Sequence, residues 1–504
     1  MSKGNKISQK NLERKLDDLG DNIDEIDRAG LAKPKIVPIE RIKKAEELLS
    51  SLDKNIEKLN PLWLRYLYFK SNYFLCIQQL AECHKEITEN SKIFAKCEDK
   101  HDILILATEK YFEVTRSCFE SENLDDQYFY PIITNYSNTL FRSGRMIESI
   151  DLINPHIFKF IHAHASFSRA LMELSIKCPD RSVSKLILIT SLGYYNDVIN
   201  DEQFESLEKD QQGVFKESRD YILKTINTKY SDIEAFTPKS KKSNKYKRWC
   251  SDNKLTLSYC NILGFYAVDD DIILPNFGSF YDLEKSIGFY SRFNTLKQEY
   301  NSARYALFLS EDKLKGVHPS QKDVVIINPC DYPAVGFETE TLKAAIRTSH
   351  SIFDKVAMMC WDLFEIEDIK ARSVSIKNWV SDKKDAAKSH FYPIFWFREG
   401  LKQNSGELLH EIDMLRNYME HRFLRVLTSY DAPWRKEIED PDKLEYKISI
   451  RELRMLAKEA VRSSRNLIFY LHMSMHGAFN KIMQKHDGPW IPLFLDVYED
   501  EWKN

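Results

Sequence analysis

Glycine and proline are scarce in this chain, 15 and 16 among 504 residues, about half of what average usage of about 7 % Gly and about 5 % Pro would supply. Turns and helix stops draw on these residues, so their shortage points to long helices. It also excludes chemistry. The closest pair of glycines, Gly400 and Gly406, is too far apart for G-x-G-x-x-G or G-x-x-x-x-G-K-[ST]. Those loops need glycines two or five residues apart so that the backbone can approach a phosphate. Dinucleotide-binding and P-loop chemistry are excluded.

Lys and Arg (73) nearly balance Asp and Glu (76), for a formal net charge of −3 that names no partner, and 43 % hydrophobic residues suffice for a core. The length is that of roughly two to four domains. The charged start MSKGNKISQKNLERKLDDLG has no apolar stretch of the secretory kind, and no later run reaches the roughly 18 apolar residues of a membrane span. A cytoplasmic protein with no membrane contact is expected. Nine cysteines, none in C-x-x-C, are expected to be reduced thiols rather than a disulfide frame or zinc site.

Residues 1–58 form a charged segment with one expected helix in PIERIKKAEELLSSLDKNIEKLN (38–60), the residues before it being read as loose. From Pro61 the chain turns aromatic and apolar, with helical stretches expected at 103–120, 127–141, 145–154, 159–177, 183–198 and 211–235. NYSNTLFRSGRMIESIDLI (135–153) reads as helix, Ser-Gly turn, helix, and 164–195 repeats that layout with Pro179 in its turn. These units resemble tetratricopeptide-like (TPR-like) repeats, without a strict 34-residue period. Residues 59–237 are read as a TPR-like helical array, with an irregular helical bundle as the alternative.

At 238–249 stands PKSKKSNKYKRW. Lys239, Lys241, Lys242, Lys245, Lys247 and Arg248 could lie along a phosphate backbone with Tyr246 and Trp249 stacking on bases, or the run could be a solvated basic linker. Residues 250–504 are read as a helical bundle with insertions, its long helices expected at 291–311, 338–366, 406–428 and 448–485. DVVIINP (323–329) is the best strand candidate. Asp269, Asp270 and Asp271 are consecutive and lack the spacing of a calcium loop.

Inside the third of these helices stands Arg416-Asn417-Tyr418-Met419-Glu420-His421, an R-N-x-x-x-H motif. Asn417 and His421 are i and i+4, hence on one helix face, and Arg416 is long enough to reach that face. An imidazole, an amide and a guanidinium together suit an RNA phosphodiester. His421 can take the proton of a ribose 2′-OH or return one to the leaving 5′-oxygen, since an ordinary imidazole titrates at about pH 6.5. Arg416 would neutralise charge building on the phosphorane oxygens, and Asn417 would orient His421 or the phosphate. No metal is required. The ordinary alternative is that Arg416 pairs with Glu420 on the solvent face and His421 is an incidental surface residue.

This motif, near the start of the penultimate long helix of a four-helix bundle, resembles the HEPN (higher eukaryotes and prokaryotes nucleotide-binding) family. The resemblance covers about 244–485, through YKRWC (246–250), EYNSARYALF (299–308), LKAAIRTSHSIFDKVA (342–357) and LRNYMEHRFLRV (415–426). These segments resemble a branch of that family in which TPR-like helices precede the domain. The resemblance implies a mostly α chain, a TPR-like array followed by a HEPN-type four-helix bundle. It also implies a metal-independent endoribonuclease without cofactor that cuts host tRNA, mRNA or rRNA to a 2′,3′-cyclic phosphate, and a homodimer through the bundle with two motifs facing one cleft. A role as toxin or anti-phage effector follows, with a protein trigger or regulator on the N-terminal array. Arg416, Asn417 and His421 match the motif, and Glu420 falls at a variable position. Toxins silenced by adenylylation carry Tyr two residues after the His, where this chain has Phe423. That speaks against control by such a nucleotidyltransferase.

Glu299 and Arg304 are candidate supporting residues that could face the cleft or simply pair at the surface, and Arg422 and Arg425 are candidate RNA contacts. His472 and His476, at i and i+4 among Leu and Met, are expected to be packed rather than metal-binding. The competing function is a non-catalytic helical scaffold that holds RNA, a nucleotide or a protein.

Overall fold

The computed structural model describes residues 8–31, 38–57, 60–80, 87, 90–95, 97, 100–119, 126–237, 244–266, 269–281, 283–311, 317–327, 332–364, 370–379, 391–401, 408–428, 444–485, 488–497 and 500. The chain divides into two compact units after Thr237.

The N-terminal unit is a stack of helical hairpins. Helices α1 (Gln9–Leu31), α3 (Trp63–Gln79), α5 (Asp126–Arg142), α7 (Ile161–Lys177) and α9 (Lys209–Lys229) alternate with α2 (Ile39–Asp53), α4 (Lys100–Phe119), α6 (Met146–Ile153) and α8 (Arg181–Ile199). Each odd-numbered helix packs on the even one beside it. The odd helices also pack on one another in sequence, α1 on α3, α3 on α5 and α5 on α7. The turns follow local chemistry. Gly144, at φ 77°, ends α5, and the Arg145 amide returns to the Leu140 carbonyl at 2.9 Å. Asp180 caps α8 by accepting from the Val183 amide at 2.9 Å.

The residues expected to be loose before the first helix are helix α1. Leu12, Leu16, Leu19, Ile23 and Ile26 recur every three or four residues and are all buried, each contributing about 1.5–3 kcal/mol. Gly20 marks the close approach to α3, since a Cβ there would meet the Phe69 ring at 2.9 Å.

In the C-terminal unit a four-helix bundle is formed by α12 (Leu283–Glu311), α13 (Phe337–Phe364), α15 (Leu408–His421) and α16 (Ile450–Lys485), with α14 (Tyr392–Gly400) packed on α15 and α16. The short helices α10 (Lys245–Asp252) and α11 (Tyr259–Ile262) precede it. The helix expected over 406–428 ends at His421, and residues Phe423–Leu427 form strand β1. It pairs in parallel with β2 (Glu445–Ser449), which leads directly into α16. The register sets Phe423 opposite Glu445 and Leu427 opposite Ser449. Alternation in EYKIS buries Tyr446 and Ile448 while Lys447 is exposed. The Ala334 amide donates to the Val426 carbonyl at 2.7 Å, tying β1 to the segment before α13.

The strand expected at 323–329 is not formed over its described residues, 323–327. They are irregular, with Val325 93 % and Ile327 86 % exposed. Among the described residues no strand pairs with this apolar run, and pairing rather than composition makes a strand. The described cysteines are buried thiols. No described helix is long and apolar enough to cross a membrane.

Candidate functional site

Helix α15 buries Leu409, Ile412, Asp413, Leu415, Tyr418 and Met419 and leaves Asn417, Glu420 and His421 exposed on the other side. Its apolar stripe has the 3.6-residue period of a helix packed on one face, which fixes the outward face that carries the motif. Because the helix stops at His421, the motif lies in its last two turns, not near the start of a long helix.

Arg416 donates from Nη1 to Asn417 Oδ1 at 3.2 Å. Glu420 is not its partner. That carboxylate pairs at 3.1 Å with Nε of Arg347 on α13, whose Nη2 donates to the Met419 carbonyl at 3.0 Å. Among the described residues the His421 ring makes no hydrogen bond or ion pair. Arg416 and Asn417 thus face solvent as a linked guanidinium and amide, with an uncommitted imidazole one turn on. Such a group can hold an anion and move a proton beside it.

Arg422 lies with its guanidinium 5.4 Å from the centre of the Tyr418 ring, and that ring packs on Tyr446 of β2 at 5.1 Å. Arg425, on β1, pairs with Glu445 at 3.4 Å. The turn into β1 therefore adds cationic side chains to the end of the helix that holds the motif.

A buried polar contact anchors α15 one turn earlier. Buried Asp413 accepts from His350 of α13 at 3.0 Å and from Lys377 at 2.7 Å. Burial raises its carboxyl pKa, but the hydrogen bonds and charges of His350 and Lys377 outweigh that and hold it below the ordinary value. The available signal was an acid inside an apolar stripe, at a position a helix otherwise fills with Leu or Ile.

Arg304 is 4 % exposed. It clamps Asp270 with two hydrogen bonds of 3.0 and 2.8 Å and donates to the Leu255 carbonyl at 2.8 Å and to Tyr246 at 2.9 Å. Glu299 pairs with Lys355 of α13. Neither hydrogen-bonds or ion-pairs with Arg416, Asn417 or His421. Arg304 ties α12 to the segment before the bundle, and Glu299 ties α12 to α13.

Of the basic run, Lys239, Lys241 and Lys242 lie outside the described residues. From Lys245 the run is helix α10, not a linker. Lys247 pairs with Asp269 at 2.9 Å, Lys245 lies over the Phe308 ring at 5.7 Å, and Arg248 is exposed. The aromatic residues expected to stack on bases are used within the fold. Tyr246 packs edge-on against Tyr305 and Phe308, each at 5.2 Å, and Trp249 Nε1 donates to Glu311 at 2.6 Å.

His472 and His476 are packed. The His472 Nδ1 faces the Tyr259 hydroxyl at 3.0 Å, and the Nε2 atoms of His472 and His476 both reach the Ile273 carbonyl, at 2.7 and 3.1 Å. Among the described residues no cluster of His, Cys, Asp and Glu could hold a metal ion.

Residues 280–478 match the family described as LA2681-like HEPN. No curated protein and no solved structure matches the chain.

Proposed function

We propose, from the match of residues 280–478 to the LA2681-like HEPN family, that this chain is a metal-independent endoribonuclease, a toxin or anti-phage effector governed by its N-terminal helical unit. HEPN domains have nucleotide- and RNA-related functions, often as ribonucleases, and commonly dimerise.

The observation that carries the proposal is the state of the motif. Arg416 is bonded to Asn417, Glu420 is taken by Arg347, and His421 is exposed and uncommitted. Substrate, not the fold, is left as the partner of the imidazole. His421 acts as general base on the ribose 2′-oxygen, which attacks the adjacent phosphorus. The 5′-oxygen leaves with a proton, and a 2′,3′-cyclic phosphate remains. Arg416 faces the equatorial phosphoryl oxygens with its planar fork, and Asn417 fixes that fork.

One motif supplies one imidazole, whereas the step needs a base and an acid. A second copy of the chain, with its own motif across a two-fold axis, provides the missing group. RNA is the partner, drawn from host tRNA, mRNA or rRNA, and a protein trigger acts on the N-terminal unit. The setting is the cytoplasm.

Sequencing RNA ends that carry 2′,3′-cyclic phosphate in cells expressing wild type, His421→Ala or Arg416→Ala tests this. Cyclic ends specific to the wild type are expected. Equal ends from wild type and His421→Ala would remove the assignment and leave the chain as an RNA- or protein-binding scaffold.

A further inference from the structure

Two residues past His421 the chain enters β1, so one end of the β1–β2 sheet adjoins the motif. Alternate residues of a strand share a face. Phe423, Arg425 and Leu427 of β1 therefore stand on one side together with Glu445, Lys447 and Ser449, their partners in register on β2. The other side buries Val426, Tyr446 and Ile448. Along β1 the first side passes from exposed Phe423 through half-buried Arg425 to buried Leu427. Its open part is the part next to the motif.

Phe423 is 72 % exposed, and Leu444, whose carbonyl accepts from the Phe423 amide at 3.1 Å, is 76 % exposed. A lone exposed apolar residue is ordinary. This one is mounted on a paired strand, and its ring makes no aromatic or cationic contact among the described residues. It also stands beside cations. Residues 422–427 and 444–449 hold Arg422, Arg425 and Lys447 against a single carboxylate, Glu445. That carboxylate pairs with Arg425 at 3.4 Å and lies 3.9 Å from the Lys447 ammonium, which is 46 % exposed. Arg425 is two residues from Phe423, roughly 7 Å along the strand, and Lys447 lies across from it on β2. An exposed ring on a fixed backbone, with cations alongside, can stack a base while the adjoining phosphates are neutralised.

We infer that the open face of this sheet is a subsite for the RNA: the base of a nucleotide next to the scissile phosphate stacks on Phe423, with Leu444 beside it, and an adjoining phosphate lies at Arg425 and Lys447. The subsite rests on the ribonuclease reading for where the RNA is cut, and adds that the neighbouring nucleotide must be unpaired. In a duplex that base stays within the helical stack, and the ring would meet only the backbone. A purine is favoured over a pyrimidine, because its fused rings offer the larger face. A protein partner fits less well. The centres of protein interfaces are poor in Lys and Glu, and Lys447 and Glu445 both share this face with the ring.

Binding and cutting are measured separately, so that the subsite and the ribonuclease reading can fail separately. Full-length protein is titrated, by fluorescence anisotropy, with labelled 2′-O-methyl dodecamers, which have no 2′-OH to attack: single-stranded oligo-A, single-stranded oligo-U and their duplex. Oligo-A is expected to bind tightest. Phe423→Ala should weaken oligo-A about tenfold and oligo-U less, and Phe423→Trp should restore the preference, a pattern that misfolding cannot produce. Lys447→Gln should weaken both single strands alike and reduce the slope of log K against log salt by about 0.7. In sequenced cyclic-phosphate ends, purines should be enriched beside the cut in wild type and no longer enriched in Phe423→Ala. Ring-dependent binding of oligo-A without any cyclic ends would keep the subsite and remove the ribonuclease reading. Three results would each overturn the subsite: Phe423→Ala binds oligo-A as wild type does, the duplex binds tighter than either single strand, or cyclic ends form with the same neighbouring bases in Phe423→Ala. Sedimentation of the full chain adds a fourth, since a Phe423→Ala protein that dissociates where wild type does not would make the ring a protein contact.

Discussion

Arg347 of α13 donates to the Met419 carbonyl of α15 at 3.0 Å, two residues before His421. The last carbonyls of a helix have no partner within it, and a guanidinium from a neighbouring helix satisfies one here while its Nε holds Glu420. The end of α15, which carries His421, is therefore held by a residue of another helix.

On the proposed ribonuclease reading, Arg347 is a positioning residue. Arg347→Ala is expected to lower kcat for RNA cleavage about tenfold with little change in KM, and Arg347→Lys to recover part of the loss. The contact is half exposed, so the stability cost should stay below about 2 kcal/mol. Single-turnover cleavage beside thermal melting separates the two effects. Wild-type cleavage by Arg347→Ala would exclude the positioning role.

The Asp413 contact should behave differently, because it is buried. Asp413→Ala leaves His350 Nε2 inside the protein without its acceptor, an expected loss of about 1–3 kcal/mol in urea unfolding. Asp413→Asn keeps an oxygen for His350 and gives up mainly the charge facing Lys377, which is 48 % exposed, so it should cost under about 1 kcal/mol. Equal losses from the two variants would mean that packing, not the hydrogen bond, fixes the site.

His472 gives the fold an acid sensitivity of known sign. Burial, and then the neighbouring His476, push its imidazole down to about 3. Unfolded, it takes up a proton near pH 6.5, so between those values the unfolded state binds more protons and stability falls as the pH drops. The slope is up to about 1.4 kcal/mol per pH unit below about 6.5. Melting curves from pH 7.5 to 4.5 should show this slope in wild type and a reduced one in His472→Gln, even if that variant starts less stable. An unchanged slope would assign the sensitivity to other groups.

Much of this architecture could be read from periodicity. Helices α5 to α9 fall close to the expected stretches because apolar residues recur at helical spacing and Ser143-Gly144 and Pro179 mark the turns. The exposed motif on α15 was legible for the same reason. The end of that helix was not. Arg-Phe-Leu-Arg-Val-Leu (422–427) continues a helical apolar pattern as well as it begins a strand, and the choice rests with Glu445–Ser449, a partner distant in sequence. Arg304 and Tyr246 were ambiguous for a similar reason, since their partners lie on other elements. The open face of the β1–β2 sheet is plain only once the two strands are side by side.

Helix α1 was legible in principle and hidden by its surroundings. Its leucines and isoleucines follow a four-three spacing, but a high charge density and the lack of aromatic residues gave the segment the texture of a loose tail. If α1 is part of the core of its unit, Leu19→Ala should cost about 2–5 kcal/mol, because Leu19 is fully buried and its removal leaves a cavity against the packed helices. Asp18→Ala, one residue away and exposed, should change stability by no more than about 0.5 kcal/mol. Hydrogen exchange gives the same contrast by another route: amides of Leu16 to Ile26 should be protected in wild type and should exchange faster in Leu19→Ala. Protection no greater than that of an unfolded peptide, together with an unchanged melting temperature in Leu19→Ala, would return residues 9–31 to a loose arm.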